Sequence, residues 1–212
     1  MALLRMVNIR RGMGDRFLEA AGLAEGDVFV DATMGMASDA LIASWAVGEK
    51  GRVLALEASP LVFMLVREGL EQLGNLKEPP GKSRDKREAW LALAKASSRI
   101  EAVCAHHQTV LEKLPDSSVD VVYFDPMFRH TVTASSSMRP LKDWSCSESL
   151  GPETIDQACR AARKRVVLKE RKNSGEFQRL GFTLLSGGRY SSVDFGIIDR
   201  IQAKGEEPCS LW

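Results

Sequence analysis

Two rhythms of apolar and polar positions alternate along the chain. Short runs rich in β-branched and aromatic residues, bounded by Gly, Pro, Asp or Ser, read as strands. They fall at Asp27–Thr33, Arg52–Glu57, Ile100–Ala105, Val119–Phe124 and Arg165–Lys169. Between them, longer amphipathic stretches predict helices over Asp39–Val47, Leu61–Leu73, Thr109–Leu114 and Glu153–Ala162. Ser59-Pro60 supplies the second of these with a cap and a first-turn proline. Phe177–Leu180 suggests a short helical turn. Phe182–Leu185 and Val193–Ile198 follow, with Gly187-Gly188 between them, and read as an antiparallel pair added to a parallel sheet. Five βα units followed by a hairpin predict a three-layer α/β fold: a mostly parallel seven-stranded sheet with helices on both faces. Right-handed crossovers place every parallel strand's C-terminal end on one rim, where ligands bind in such sheets.

The same pattern marks three irregular segments within a single expected domain spanning 1–212. Residues 1–26 form a helical lead-in, 75–98 a charged surface insertion that turns helical around Trp90–Ala96, and 128–150 a long loop. Loops of that length inside a compact domain are often functional. The 75–98 stretch reads first as a solvated excursion and second as a basic RNA-contacting patch.

Composition narrows the classes. The chain has 212 residues, 44% hydrophobic, and a net charge of +1, so no strong global field draws it to nucleic acid or membrane. Its four cysteines lack a C-x-x-C spacing, which argues against a zinc site or a disulfide framework. No apolar run approaches the ~20 residues of a membrane span. The first residues lack a signal-peptide core. A cytoplasmic protein without a metal is the expectation.

The candidate chemistry lies at the strand ends. The first strand leads into Asp31-Ala-Thr-Met-Gly35-Met-Ala-Ser38-Asp39, which holds one glycine where a dinucleotide-binding loop needs several to approach a pyrophosphate. S-adenosylmethionine carries a sulfonium and no phosphate, so an acid (Asp31) and one close-approach glycine (Gly35) suit it. The second strand ends in Glu57, 22 positions beyond Gly35. An acid about 20 residues past the loop suits ribose hydroxyls. The third strand ends in Ala105-His106-His107, on the side expected to line adenine. Adjacent residues on a strand point to opposite faces, so a metal shared by the two histidines is not expected.

The fourth strand stops at Asp125-Pro126-Met127-Phe128. The nitrogen of a guanine or adenine amino group is a poor nucleophile, because its lone pair is delocalised into the ring. The Asp125 carboxylate and the Pro126 carbonyl could accept its two N–H bonds, and Phe128 offers a face for base stacking, worth roughly 1–3 kcal/mol in comparable contacts. No general base is needed, because the proton becomes acidic as the new bond forms. Arg129, His130 and Arg139 follow in the loop, and Lys169 ends the fifth strand. Such residues would position RNA through its phosphates.

Taken together, these residues resemble the RsmJ-type family of S-adenosylmethionine-dependent methyltransferases of small-subunit ribosomal RNA, which modify a guanine at N2. The resemblance runs from about Gly14 to Ile198. It is carried by Gly14-Asp15, Asp31-Ala-Thr-x-Gly35, Asp39, Leu56-Glu57-x-Ser-Pro60, Val121–Phe128 with His130, Met138-Arg139, Arg165–Lys169 and Gly188-x-x-x-x-Val-Asp-Phe195. It implies a Rossmann-like class I methyltransferase fold, S-adenosyl-L-methionine as cofactor, and ribosomal RNA or the small subunit as partner. It also implies cofactor contacts at Ser38, Asp39, Glu57, Ala58, His106, His107 and Asp125. Three positions depart from the family pattern. Ser38 replaces an arginine, Arg129 a proline, and His106 and His107 replace two small hydroxyl residues. Family members also commonly carry an N-terminal segment ahead of the matching part. Three alternatives stay open: a nicotinamide-dependent oxidoreductase, a catalytically silent RNA-binding or assembly factor, and a methyltransferase acting on a small molecule or DNA base.

Overall fold

A computed structural model describes residues 2–80, 82–126, 150–185 and 191–200. Seven strands form one sheet: β1 Val28–Asp31, β2 Arg52–Glu57, β3 Ile100–Cys104, β4 Val119–Phe124, β5 Ala162–Arg171, β6 Thr183–Leu185 and β7 Val193–Asp199. The spatial order is β3-β2-β1-β4-β5-β7-β6. The first five strands run parallel. β7 lies between β5 and β6 and is antiparallel to both. The expected fold class is therefore the observed one, although the Gly187-Gly188 connection lies outside the described residues.

Local chemistry explains the element ends. The Ser59 hydroxyl accepts from the Val62 N–H at 3.4 Å and starts α4 (Pro60–Gly74), with Pro60 in its first turn. Asp15 caps α2 (Arg16–Ala21) in the same way, accepting from Leu18 N–H at 3.2 Å. Gly22 ends that helix at φ 58°, in the left-handed region that glycine adopts without strain. β5 is longer than its apolar run suggested, because β7 pairs with it from Arg165 to Arg171 and supplies partners for polar residues at its end.

Alternation along the strands divides the core into two layers. Phe29, Val53, Val121 and Tyr123 face α1 (Ala2–Arg10), α2, α3 (Ser38–Val47), α4 and α5 (Arg84–Ser97). Val30, Leu56, Val122 and Phe124 face α6 (His107–Leu111), α7 (Pro152–Ala161) and α8 (Glu176–Arg179). β4 is buried along its whole length, as a strand covered on both faces must be.

Two expectations need correction. The segment 75–98 is a polar excursion only at its start. From Arg84 onward it is α5, whose Ala89, Leu93 and Ala96 are fully buried and whose Ser97 lies against the core as well. Its many charges hid a narrow apolar stripe of small residues, which packs closely against α1, α3 and α4. The third strand ends at Cys104, so His106 and His107 are not strand residues. His106 caps α6, its Nδ1 accepting from Gln108 N–H at 3.4 Å, and His107 opens that helix.

The order of strands sets the place of the site. From β1 the chain builds outward through β2 to β3, then returns to add β4 on β1's other side. Helices leave the two halves in opposite directions, and a crevice opens above the C-terminal ends of β1 and β4.

Candidate active site

That crevice is a cavity of about 760 Å³. It lies within the usual size range of small-molecule sites. Its floor is built from strand ends: Asp31 from β1, Glu57 from β2, and Asp125 with Pro126 from β4. Gly35, Ser38 and Asp39 enter from the loop and first turn after β1, and Ala58 from the turn after β2. His106 and His107 close one side, and Lys169 reaches in from β5. The sequence-predicted site residues among the described ones thus converge on one space. Phe128, Arg129, His130 and Arg139 lie outside the described residues.

The loop after β1 is shaped by Glu57. One carboxylate oxygen accepts from Gly35 N–H at 3.0 Å and the other from Ser59 N–H at 2.8 Å. Glu57 therefore ties the Gly35 loop to the start of α4, a structural duty that accompanies any ligand contact. Each oxygen keeps further lone-pair capacity. Gly35 at φ 47° and Ala37 at φ 53° give the loop its tight left-handed turn. At β4, the Asp125 N–H donates to Thr33 Oγ1 at 2.6 Å, which locks the transfer corner to the β1 loop.

A chain of ion pairs crosses the cavity. Arg5, from α1, holds Asp15 with two bonds of 2.9 Å and also contacts Asp39. Tyr123 donates its hydroxyl to Asp39 Oδ2 at 2.8 Å. The Lys169 ammonium sits 3.1 Å from the same oxygen and 2.6 Å from Asp125 Oδ2. Neither Arg5 nor Tyr123 was expected at the site. Tyr123 read as a buried strand residue, and Arg5 lies in a lead-in helix with no local signal. Lys169 was expected to hold an RNA phosphate. Its ammonium lies within the cavity, shared between the Asp39 and Asp125 carboxylates.

The charges set the ionisation of the cluster. Burial lifts the Asp31 carboxyl well above its ordinary value, and the Asp39 and Asp125 carboxylates lift it further. For Asp39, burial also acts upward, but Lys169, Arg5 and the Tyr123 hydroxyl outweigh it and hold the group below its ordinary value. Asp125 is raised: burial and Asp39 exceed the opposing pull of Lys169. Tyr123 is raised by burial and then by Asp125 and Asp39, so its hydroxyl keeps its proton.

The two histidines were expected to point different ways. Their rings instead lie 4.2 Å apart between centroids and tilted by 33°, both toward the cavity. The helical turn at α6 brings them together where a strand would have separated them. Burial, then His106, pushes His107 down to about 4, so its ring is neutral at physiological pH. Among the described residues no group of three or more His, Cys, Asp or Glu is placed to hold a metal ion.

The lining suits a cationic ligand without phosphates. Five carboxylates (Asp15, Asp31, Asp39, Glu57 and Asp125) face three cations, Arg5, Arg16 and Lys169. Those cations are themselves bound to carboxylates. A pyrophosphate would meet net negative charge here, whereas a sulfonium and an ammonium would be attracted. Met34, Leu56 and Val62 add apolar wall.

Comparison with known proteins agrees with this geometry. Residues 5–180 match the family described as "Putative SAM-dependent methyltransferase". YpiP of Bacillus subtilis (strain 168) is 41% identical over 187 residues, which cover 87% of this chain and 66% of that protein. Ribosomal RNA small subunit methyltransferase J of Hahella chejuensis is 29% identical over 170 residues, covering 77% of this chain and 56% of that protein. The chain thus spans between about half and two thirds of the length of these relatives. Among solved structures, a SAM-dependent methyltransferase from Neisseria gonorrhoeae superposes with a TM-score of 0.55 at 18% identity, over 93% of this chain and 73% of that one. At that identity the likeness is one of fold, and the fold is Rossmann-like. Among the described residues no helix is long and apolar enough to cross a membrane.

Proposed function

Because the chain belongs to the family of SAM-dependent methyltransferases, we propose that it methylates the exocyclic N2 of a guanine in small-subunit ribosomal RNA. The observation that carries this reading is the meeting of Asp31, Asp39, Glu57 and Asp125 in one acid-rich cavity at the switch point of the sheet. The relatives named as ribosomal RNA small subunit methyltransferase J support the choice of RNA. A ribosomal substrate would place the chain in the cytoplasm.

The cofactor is S-adenosyl-L-methionine, which supplies an electrophilic methyl group on a sulfonium. Glu57 would accept from the ribose hydroxyls, and Asp31 with Asp39 would face the cationic end. Ala58 and the His106–His107 pair would wall the adenine. Gly35 keeps the loop backbone close, and Ser38 opens the helix beside it. On the acceptor side, the Asp125 carboxylate and the Pro126 carbonyl orient the amino group by accepting its N–H bonds. Phe128 would stack the base, and Arg129, His130 and Arg139 would meet RNA phosphates. Transfer then depends on alignment, a proximity effect. The proton leaves after the nitrogen has become cationic, and the carboxylate environment favours its departure.

The test begins with calorimetric titration of the full chain by S-adenosylhomocysteine, with NAD as control. Saturable binding of the first alone is expected; binding of NAD alone would return the oxidoreductase alternative. Labelled S-adenosylmethionine is then supplied with small ribosomal subunits and with their naked RNA, and the RNA is digested to nucleosides. Label in N2-methylguanosine is the expected result. Cofactor binding without label in any RNA nucleoside would count against RNA as substrate.

A further inference from the structure

We infer that Lys169 is a positioning residue for transfer: its ammonium bridges Asp39 and Asp125, keeping the Asp125 carboxylate ionised and turned so that Oδ1 is left for the acceptor amine. This inference rests on the proposed transfer reaction for its purpose, and on the ion-pair geometry for its content. Lys169 Nζ lies 2.6 Å from Asp125 Oδ2 and 3.1 Å from Asp39 Oδ2. Its side chain is 22% exposed, so water screens these contacts weakly. Asp125 is fixed from the other side by its own N–H on Thr33 Oγ1. Lys169 sits on β5, in register beside Phe195 of β7, so the backbone from which its side chain reaches the two carboxylates is held by the sheet.

The need for such a cation follows from the other groups around Asp125. Asp31 of β1, Asp39 of α3, Tyr123 of β4 and Glu170 of β5 each bring negative charge or a bound proton, and Arg5 of α1 is already committed to Asp15 and Asp39. A carboxylate buried among carboxylates takes up a proton unless a cation opposes it. A protonated Asp125 would present a hydroxyl where the amine needs an acceptor. Lys169 also joins the transfer corner to Asp39 on the cofactor side. It thereby gives the two halves of the site one shared counter-ion.

The experiment uses the full chain labelled with carboxyl-13C aspartate, titrated by NMR as the wild type and as Lys169→Met, with Asp125→Asn to identify the Asp125 resonance. Loss of an opposite charge at this distance moves a carboxyl by about 1–3 pH units, so the Asp125 midpoint should rise by that amount in Lys169→Met. Lys169→Gln gives a second reading should the methionine variant fold poorly, and Lys169→Arg should return the midpoint toward wild type. In parallel, the acid limb of kcat for methyl transfer should move up with the carboxyl midpoint, while KM for the cofactor changes less than kcat. An unchanged midpoint in both neutral variants overturns the inference whatever the transfer assay gives. A uniform, pH-independent fall in kcat also overturns it, because a merely structural lysine would act that way. A raised midpoint in a protein whose wild type transfers no methyl group to RNA upholds the role of Lys169 toward Asp125 and counts against the RNA reading instead.

Discussion

At the scale of single residues, the site mixes groups of two kinds that the sequence shows alike. Among the described residues Asp125 is held by one backbone bond and by its ion pair with Lys169, and Lys169 keeps Asp39 as a partner when that pair is lost. Asp125→Ala should therefore leave the thermal midpoint within a few degrees of wild type and lower methyl transfer by about 10²-fold or more, the effect of removing one preorganised hydrogen-bonding group. Full transfer by that variant would remove Asp125 from the mechanism. Glu57 is different, because Gly35 N–H and Ser59 N–H both end on it. Glu57→Ala leaves two donors unmatched, at about 1–3 kcal/mol for each one that stays dry. Weaker S-adenosylhomocysteine binding and a lower melting temperature should appear together. Glu57→Gln retains one acceptor oxygen and should recover much of the stability and less of the affinity. Equal recovery of both would mean that Glu57 acts only by shaping the loop. The strand-end position and the 22-residue spacing made Glu57 legible as a ribose ligand. Its hold on the loop was not legible, because a backbone bond leaves no mark in side-chain spacing.

At the scale of elements, most of the fold could be read. β2 and β4 match their expected bounds, because each is a mostly apolar run that gives way to an acid, Glu57 or Asp125, at the sheet's rim. The elements misread are those whose partners lie far away in the chain. α5 looked like a solvated insertion because charge dominates its composition; its burial depends on α1, α3 and α4 presenting small-residue surfaces to it. Arg10 at the end of α1 and Arg11 just beyond it reach Glu88 and Asp85 of α5, so the segment expected to be peripheral clasps the helix that delivers Arg5. The antiparallel strand β7 was predicted, but its crowding was not. A Cβ at Gly196 would lie 2.6 Å from a ring carbon of Phe177 and 2.8 Å from Phe182 Cβ. Neither neighbour can yield easily, since both are buried under the sheet's edge. Gly196→Ala should cost about 1–3 kcal/mol through overpacking, read as a lower urea midpoint with an unchanged m-value. No loss of stability would mean that α8 and its following turn can shift outward freely.

At the scale of the whole molecule, the sheet gathers acids that the sequence keeps far apart. Lys169 reaches Asp39 across 130 positions and Asp125 across 44, and Arg5 reaches Asp39 across 34. No local pattern records such a meeting, which is why Lys169 was legible as a strand-end site residue but not as the shared counter-ion of Asp39 and Asp125, and Arg5 was not legible at all. The gathering has a thermodynamic consequence centred on Asp31. In the folded chain its carboxyl is raised well above the ordinary 3.8, by burial first and then by Asp39 and Asp125. As pH rises above that ordinary value, the unfolded chain releases a proton that the folded chain still holds. The folded state therefore loses stability with rising pH until Asp31 itself ionises. Asp31→Asn keeps an acceptor for Thr33 N–H, which now lies 3.1 Å from Oδ1, and removes the ionisation. The variant should melt higher than wild type near pH 7 and alike near pH 4, with each kcal/mol regained worth about 2–4 °C in a chain of this size. The same substitution should weaken binding of a cationic ligand, because the negative charge it removes is the one the ligand would call forth. A ligand that stabilises ionised Asp31 must expel its proton. Calorimetric titration of the wild type with S-adenosylmethionine, in buffers of different ionisation enthalpy, should then show a buffer-dependent heat at neutral pH that disappears in Asp31→Asn. A buffer-independent heat in the wild type, or a variant that melts lower at pH 7, would mean that Asp31 is already charged in the free protein and that its neighbours carry more positive charge than the geometry supplies.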